Sequence, residues 1–149
     1  MITVLTPTYN RASLLINLYQ SLIKQDFGDF EWVIVDDGSV DATTDIVDQF
    51  IQERQIGITY IKQANGGKHR ALNRGVKEAK GELVIIVDSD DSLPNKSLSI
   101  IYSHYLDIKD NSSIGGVCGL MAHHDGTIIG ERKIRSSMNL SSIEMRCKY

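Results

Sequence analysis

Cysteine is scarce: the 149-residue chain has two, Cys118 and Cys147, with no Cys-x-x-Cys and no Cys/His ligand spacing. That argues against a disulfide scaffold or a thiolate metal site and reads as reduced, structural thiols in a cytoplasmic protein. No apolar run approaches the ~20 residues of a spanning helix. Membrane association is therefore expected only peripherally, at the inner face of the membrane, through a partner or through residues outside the chain. No basic region, long apolar core or small-residue cleavage site follows Met1, and Ile2-Thr3-Val4-Leu5 reads as a first strand rather than a signal peptide. Net charge is only −3, too little for general attraction to nucleic acid or anionic lipid, so no nucleic-acid partner is expected and phosphate binding has to arise locally. The common phosphate signatures are missing as well. There is no Gly-x-x-x-x-Gly-Lys-Ser/Thr, and no Gly-x-Gly-x-x-Gly after the first strand, which weighs against a dinucleotide-binding Rossmann domain.

What the chain does have is Val84-Ile85-Ile86-Val87-Asp88-Ser89-Asp90-Asp91, a β-branched run that predicts a strand buried on both faces and ends in carboxylates. Strand-like and helix-like patterns alternate before it, which predicts an α/β fold with a mainly parallel sheet. Ile2 to Thr6 is a strand stopped by Pro7, and Leu14, Leu15, Leu18, Leu22 and Ile23 share one face of the next helix. Phe30 to Val35 is a second strand ending in Asp36-Asp37-Gly38-Ser39. Ser39, Asp41 and Thr43 offer N-caps for a helix that turns Ile46, Val47, Phe50 and Ile51 inward. Ile56 to Ile61 is a third strand, and Asn65-Gly66-Gly67 a permissive loop. A helix over Lys68 to Lys80 follows, with Ala71, Leu72, Val76 and Ala79 toward the sheet and Gly81 as its stop. Pro94 suits the first turn of a fourth helix. Val117 to Met121 reads as a strand and His123-His124-Asp125-Gly126 as a turn. One domain is expected over residues 1–131, with 132–149 as a tail or part of a truncated acceptor-side element.

A sheet ordered 3-2-1-4 brings the ends of strands one, two and four to one crevice at the topological switch point. Pro7-Thr8-Tyr9, Asp36-Asp37 and Asp88-Ser89-Asp90 would then face one ligand. Glycines 66 and 67 let backbone N–H groups approach an anion, and Lys68 adds a point charge. Asp88 and Asp90 suit a hard divalent cation, Mn²⁺ or Mg²⁺, although Ser-Asp-Asp-Ser is equally at home as a polar turn capping a helix. Asp36 reads as structural, accepting N–H bonds at its turn. His69, His123 and His124 lack a carboxylate cluster and read as loop or surface residues, and His104 as a surface or packing residue on a helix.

In order and spacing, Val4-Leu5-Thr6-Pro7-Thr8-Tyr9-Asn10-Arg11, Val35-Asp36-Asp37-Gly38-Ser39, Asn65-Gly66-Gly67-Lys68, Ala71-Leu72-Asn73-Arg74-Gly75, Ala79-Lys80-Gly81-Glu82 and Asp88-Ser89-Asp90-Asp91 resemble the nucleotide-sugar-binding half of family 2 glycosyltransferases of the GT-A fold. The resemblance runs from about Ile2 to Leu98 and more loosely to Glu131. It implies that Pro7, Thr8 and Tyr9 lie against the nucleoside and that Asp37 accepts the N–H of a uracil-type base. Gly67 and Lys68 would approach the diphosphate, while Asp88 and Ser89 would meet the donor. Asp90 and Asp88 would hold the metal. The implied reaction is inverting transfer from a nucleotide-diphosphate sugar, expected to be a UDP-sugar, to a glycan or lipid-linked acceptor in cell-surface polysaccharide synthesis.

An inverting displacement needs a general base near the attacking hydroxyl. In the family that acid lies well downstream of Asp-x-Asp. Here Glu131 and Glu144 are the only acids after Asp125, and neither fits the pattern, so no catalytic residue is assigned. Two alternatives stay open: a non-catalytic nucleotide-sugar-binding module, and a receiver-like domain that also uses strand-end acids and a lysine.

Overall fold

The computed structural model describes residues 1–113, 117, 121–123 and 125–129. They fall into two compact units, the first Met1–Tyr102 and the second beginning at Ser103. In chain order the elements are β1 (Ile2–Thr8), α1 (Ala12–Leu22), β2 (Phe30–Asp36), α2 (Thr43–Glu53), β3 (Gly57–Lys62), α3 (Lys68–Glu78), β4 (Leu83–Ile86) and α4 (Ser97–Ile108). The sheet is parallel, in the order β3-β2-β1-β4, as the alternating pattern predicts. In the second unit, Ala122 and Ile128 bridge across a turn in which the Gly126 N–H bonds the His123 carbonyl. The expected strand over Val117–Met121 falls mostly outside the described residues, and the tail from residue 132 lies wholly outside them.

Alternation along the central strands divides the core between the two faces of the sheet. Ile2 and Val4 of β1 and Trp32 and Ile34 of β2 join Leu15, Leu18, Tyr19 and Leu22 of α1, Val47 and Phe50 of α2, and Leu98. Tyr19 stacks on Phe50 with ring centroids 4.0 Å apart, and both lie near Trp32, whose indole N–H bonds Thr6 Oγ1 at 2.9 Å. On the opposite face Leu5, Val33 and Val35 meet Ala71 of α3. Gly75 makes that approach close: a Cβ there would fall 2.1 Å from Leu5 Cδ1. Below the sheet, Glu31 Oε1 accepts the Thr3 hydroxyl and the Lys80 N–H, and Gly81 N–H donates to Thr3 Oγ1, which moors the α3–β4 connection to the start of β1.

Several local expectations differ from what forms. β1 continues through Pro7 to Thr8: Pro7 and Thr8 stay in register with Val35 and Asp36 of β2, and Asp37 N–H reaches Thr8 O at 2.9 Å. β4 is not buried on both faces. Among the described residues it pairs with β1 alone, and Ile86 is 54% exposed. Helix α3 ends at Glu78, with Ala79 already extended, so Gly81 serves the Thr3 contact rather than a helix stop. α4 starts at Ser97, three residues after Pro94. Ile51 and Val76, expected to face inward, lie on exposed helix faces.

Candidate functional site

Parallel pairing in this register carries the ends of β1, β2 and β4 to one edge. Thr8 pairs with Asp36, Leu5 pairs with Ile86, and Val87 N–H still reaches Leu5 O at 3.0 Å before the chain turns into Asp88. The edge opens into a cleft of about 290 Å³ lined by Pro7, Thr8, Tyr9, Arg11, Asp37, Lys68, Ala71, Asp88, Ser89 and Asp90. That volume lies at the lower end of the range for small-ligand sites. Seven of the eight residues expected to contact the donor are therefore in one wall, together with Asp90. Gly67 stands just behind them, its N–H bonded to Asp37 Oδ2 at 2.7 Å.

Asp37 organises the floor. Its Oδ1 accepts Gln63 Nε2 at 2.7 Å and the Gly66 N–H at 3.0 Å, while Oδ2 accepts the Gly66 and Gly67 N–H groups at 3.1 and 2.7 Å. Three donors make these four contacts, the Gly66 N–H being shared between both oxygens, so most of the carboxylate's acceptor capacity is used. A base edge would compete with Gln63 for the group. Burial pushes the Asp37 carboxyl up, yet the bonds from Gln63, Gly67 and Gly66 and the nearby His69 outweigh it and hold the group below the usual range. Gly67 adopts φ +91°, a conformation that L side chains resist, and so delivers Lys68 to the first turn of α3. Asp36, as expected, is structural: it is fully buried, and accepts Ser39 N–H at 2.7 Å and the Tyr60 hydroxyl at 2.6 Å.

The acids at the end of β4 are held by cations. Lys68 Nζ is 2.6 Å from Asp88 Oδ2, and Arg11 Nη1 is 2.7 Å from Asp90 Oδ1. Burial, then the neighbouring Asp90 and Asp88, raises the Asp91 carboxyl against the pull of Lys68. Among the described residues, two buried oxygens in this wall have no hydrogen-bond partner, Thr8 Oγ1 and Asp88 Oδ1. An unpaired buried polar atom is costly, so both mark places where a ligand or ion would be favoured. Among the described residues no group of three or more His, Cys, Asp or Glu could cage a metal. A cation bridged by a diphosphate needs only one or two protein carboxylates, and Asp88 with Asp90 meets that requirement. The sequence assigns Arg11 and Gln63 no role: Arg11 closes the Val4–Arg11 block and Gln63 lies two residues before Asn65-Gly66-Gly67-Lys68, so only their neighbourhood carries a signal.

The fold and cleft define a parallel α/β domain that presents acids, a lysine and backbone N–H groups at its switch point. The sequence profile of Glycosyl transferase family 2 matches residues 3–128, and the chain belongs to that family. It is 36% identical over 112 residues to the poly(ribitol-phosphate) beta-N-acetylglucosaminyltransferase TarS of Staphylococcus aureus, covering 71% of this chain and 20% of that enzyme. Against glycosyltransferase GlyG of Streptococcus pneumoniae it is 34% identical over 103 residues, covering 68% of this chain and 34% of the relative. The chain thus spans about a fifth to a third of these relatives. Among solved structures it resembles Staphylococcus aureus TarS 1-349 in complex with UDP, with TM-score 0.67 and 32% identity over 72% of this chain and 32% of that one. It also resembles the mannosyltransferase PcManGT of Pyrobaculum calidifontis in complex with GDP-Man and Mn²⁺, with TM-score 0.66 and 29% identity over 76% of this chain and 33% of that one. The fold is of the GT-A class. A receiver domain would order its sheet 2-1-3-4-5 with β1 beside β3, whereas here β1 lies between β2 and β4.

Proposed function

We propose that residues 1–131 form the donor-binding domain of a glycosyltransferase that takes its sugar from a nucleotide diphosphate, with UDP as the nucleotide. The observation that carries this reading is the meeting of Thr8, Asp37, Lys68, Asp88 and Asp90 in one cleft, with Thr8 Oγ1 and Asp88 Oδ1 buried and unpartnered. Relatives crystallised with UDP and with GDP-Man support a nucleotide-sugar donor. Pro7, Thr8 and Tyr9 would flank the nucleoside, and Asp37 would meet the base once Gln63 is displaced. Lys68 and the N-terminal end of α3 would face the diphosphate, where an ammonium and a helix dipole both favour negative charge.

Asp88 and Asp90 would hold Mn²⁺ or Mg²⁺, which when bound supplies charge neutralisation to a departing diphosphate. The family resemblance supports inversion at the anomeric carbon and a glycan or lipid-linked acceptor, with the base on the acceptor side. Calorimetric titration of the chain with UDP, GDP, CDP and their sugars, with and without Mn²⁺, tests the reading. UDP and a UDP-sugar are expected to bind, more tightly with Mn²⁺. Binding of none of them, or equal binding of all without metal dependence, would reject it.

A further inference from the structure

Arg11 is the cleft residue with no assigned part, and its setting suggests one. Its guanidinium lies on Asp90 Oδ1 at 2.7 Å, with Arg11 and Asp90 respectively 45% and 49% exposed. The backbone beneath it is fixed. Asn10 takes φ +51°, its N–H bonds Ser39 Oγ, and its Oδ1 accepts Val40 N–H. Ala12 N–H bonds Asp41 Oδ2, and the Arg11 carbonyl accepts the N–H groups of Leu14 and Leu15 as α1 begins. Any change at Arg11 is thus a swing of its side chain rather than a movement of the loop. A divalent cation brought to Asp90 meets the charge of a guanidinium already on its Oδ1, so the two compete for that carboxylate. An ion pair this exposed favours its closed form by a factor of only about two to five, so giving it up is easy. A free guanidinium, in turn, matches phosphate oxygens two at a time.

We propose that Arg11 is a counter-ion exchanger for the donor site, an inference that rests on the nucleotide-diphosphate reading above. Before donor arrives Arg11 neutralises Asp90. When the divalent cation and diphosphate enter together, the cation takes Asp90 and the guanidinium transfers to a phosphate oxygen. Charge stays balanced in both states, since the cluster of Lys68, Arg11, Asp88 and Asp90 is neutral and a divalent cation offsets the two charges of a diphosphate diester. Arg11 then makes metal and nucleotide binding help each other, a coupling that linkage requires to be the same from either side.

The test titrates the 149-residue chain, Arg11→Gln and Arg11→Lys with Mn²⁺ alone, UDP alone, and each in the presence of the other. Loss of the competing guanidinium should make Arg11→Gln bind Mn²⁺ alone roughly two- to fivefold more tightly, while the Mn²⁺–UDP coupling factor falls by at least about as much. Arg11→Lys, still charged, should restore part of both. If the unaltered chain binds UDP with Mn²⁺ while Arg11→Gln shows unchanged or weaker Mn²⁺ affinity, or undiminished coupling, the exchange is overturned and the donor reading stands. If the unaltered chain binds no UDP under either condition, both are overturned.

Discussion

Asp37 and Asp90 sit in one cleft and do different work. Asp90 is half exposed and paired with a half-exposed guanidinium, so its charge is available to what comes into the site. Asp90→Ala should leave the unfolding free energy within about 0.5 kcal/mol of the parent and abolish the Mn²⁺-dependent part of UDP affinity; retained metal dependence would remove Asp90 from the metal site. Asp37 is buried beneath the Gly66-Gly67 loop, and hydrogen bonds to a charged acceptor are each worth about 1.5–3 kcal/mol. Asp37→Asn turns one acceptor into a donor facing N–H groups and should destabilise the chain by about 2 kcal/mol in urea unfolding at neutral pH. The pH dependence follows from the lowered carboxyl. A depressed folded-state pKa gives stability that is present above the unfolded value, near pH 4, and lost as pH falls through the folded value. The gap between parent and Asp37→Asn should therefore narrow on acidification; a gap independent of pH would show that the ionised form contributes nothing.

At the scale of elements, two contacts fix how the helices sit on the sheet. α1 and α2 are joined by the Tyr19 hydroxyl, which donates to Glu53 Oε2 at 2.6 Å and whose pKa is pushed up to about 12 by burial and by that carboxylate. Tyr19→Phe keeps the stack on Phe50 and should cost about 1 kcal/mol. On the other face Gly75→Ala gains up to about 1 kcal/mol of helix propensity, but overpacking costs about 1–3 kcal/mol. Because Leu5 Cγ as well as Cδ1 crowds the new Cβ, rotation about the leucine Cβ–Cγ bond does not clear it, and a net loss of stability is expected in thermal unfolding. Much of this architecture was legible in the sequence. Ile2–Leu5 and Val33–Val35 announce central strands because nothing charged interrupts them, and the acids after Val35 mark the end of the second. Ile86 misled because a β-branched run encodes strand preference, while burial depends on which neighbours a strand acquires. Pro94 misled for a related reason, since its fixed φ suits either a first helical turn or the turn before one. The Asp37 bonds to Gly66 and Gly67 depend on residues about thirty positions apart, and no local pattern encodes them.

Taken as a whole molecule, the described chain is a scaffold that brings distant segments to one edge. Thr8, Asp37, Lys68 and Asp90 are separated by most of a βαβ unit each, and only the order β3-β2-β1-β4 makes them neighbours. The motif residues were readable singly; their convergence required the sheet order, which alternation alone leaves open and the strand pairing establishes. No helix among the described residues is long and apolar enough to cross a membrane. The central claim is that these strand ends surround a single nucleotide, and amide chemical shifts of the ¹⁵N-labelled chain on addition of UDP with Mg²⁺ test it most directly. Thr8 to Arg11, Asp37 to Gly38, Gly66 to Lys68 and Asp88 to Asp90 should shift together, with one saturation curve. Shifts confined to one of these segments, or saturating at different UDP concentrations, would contradict it.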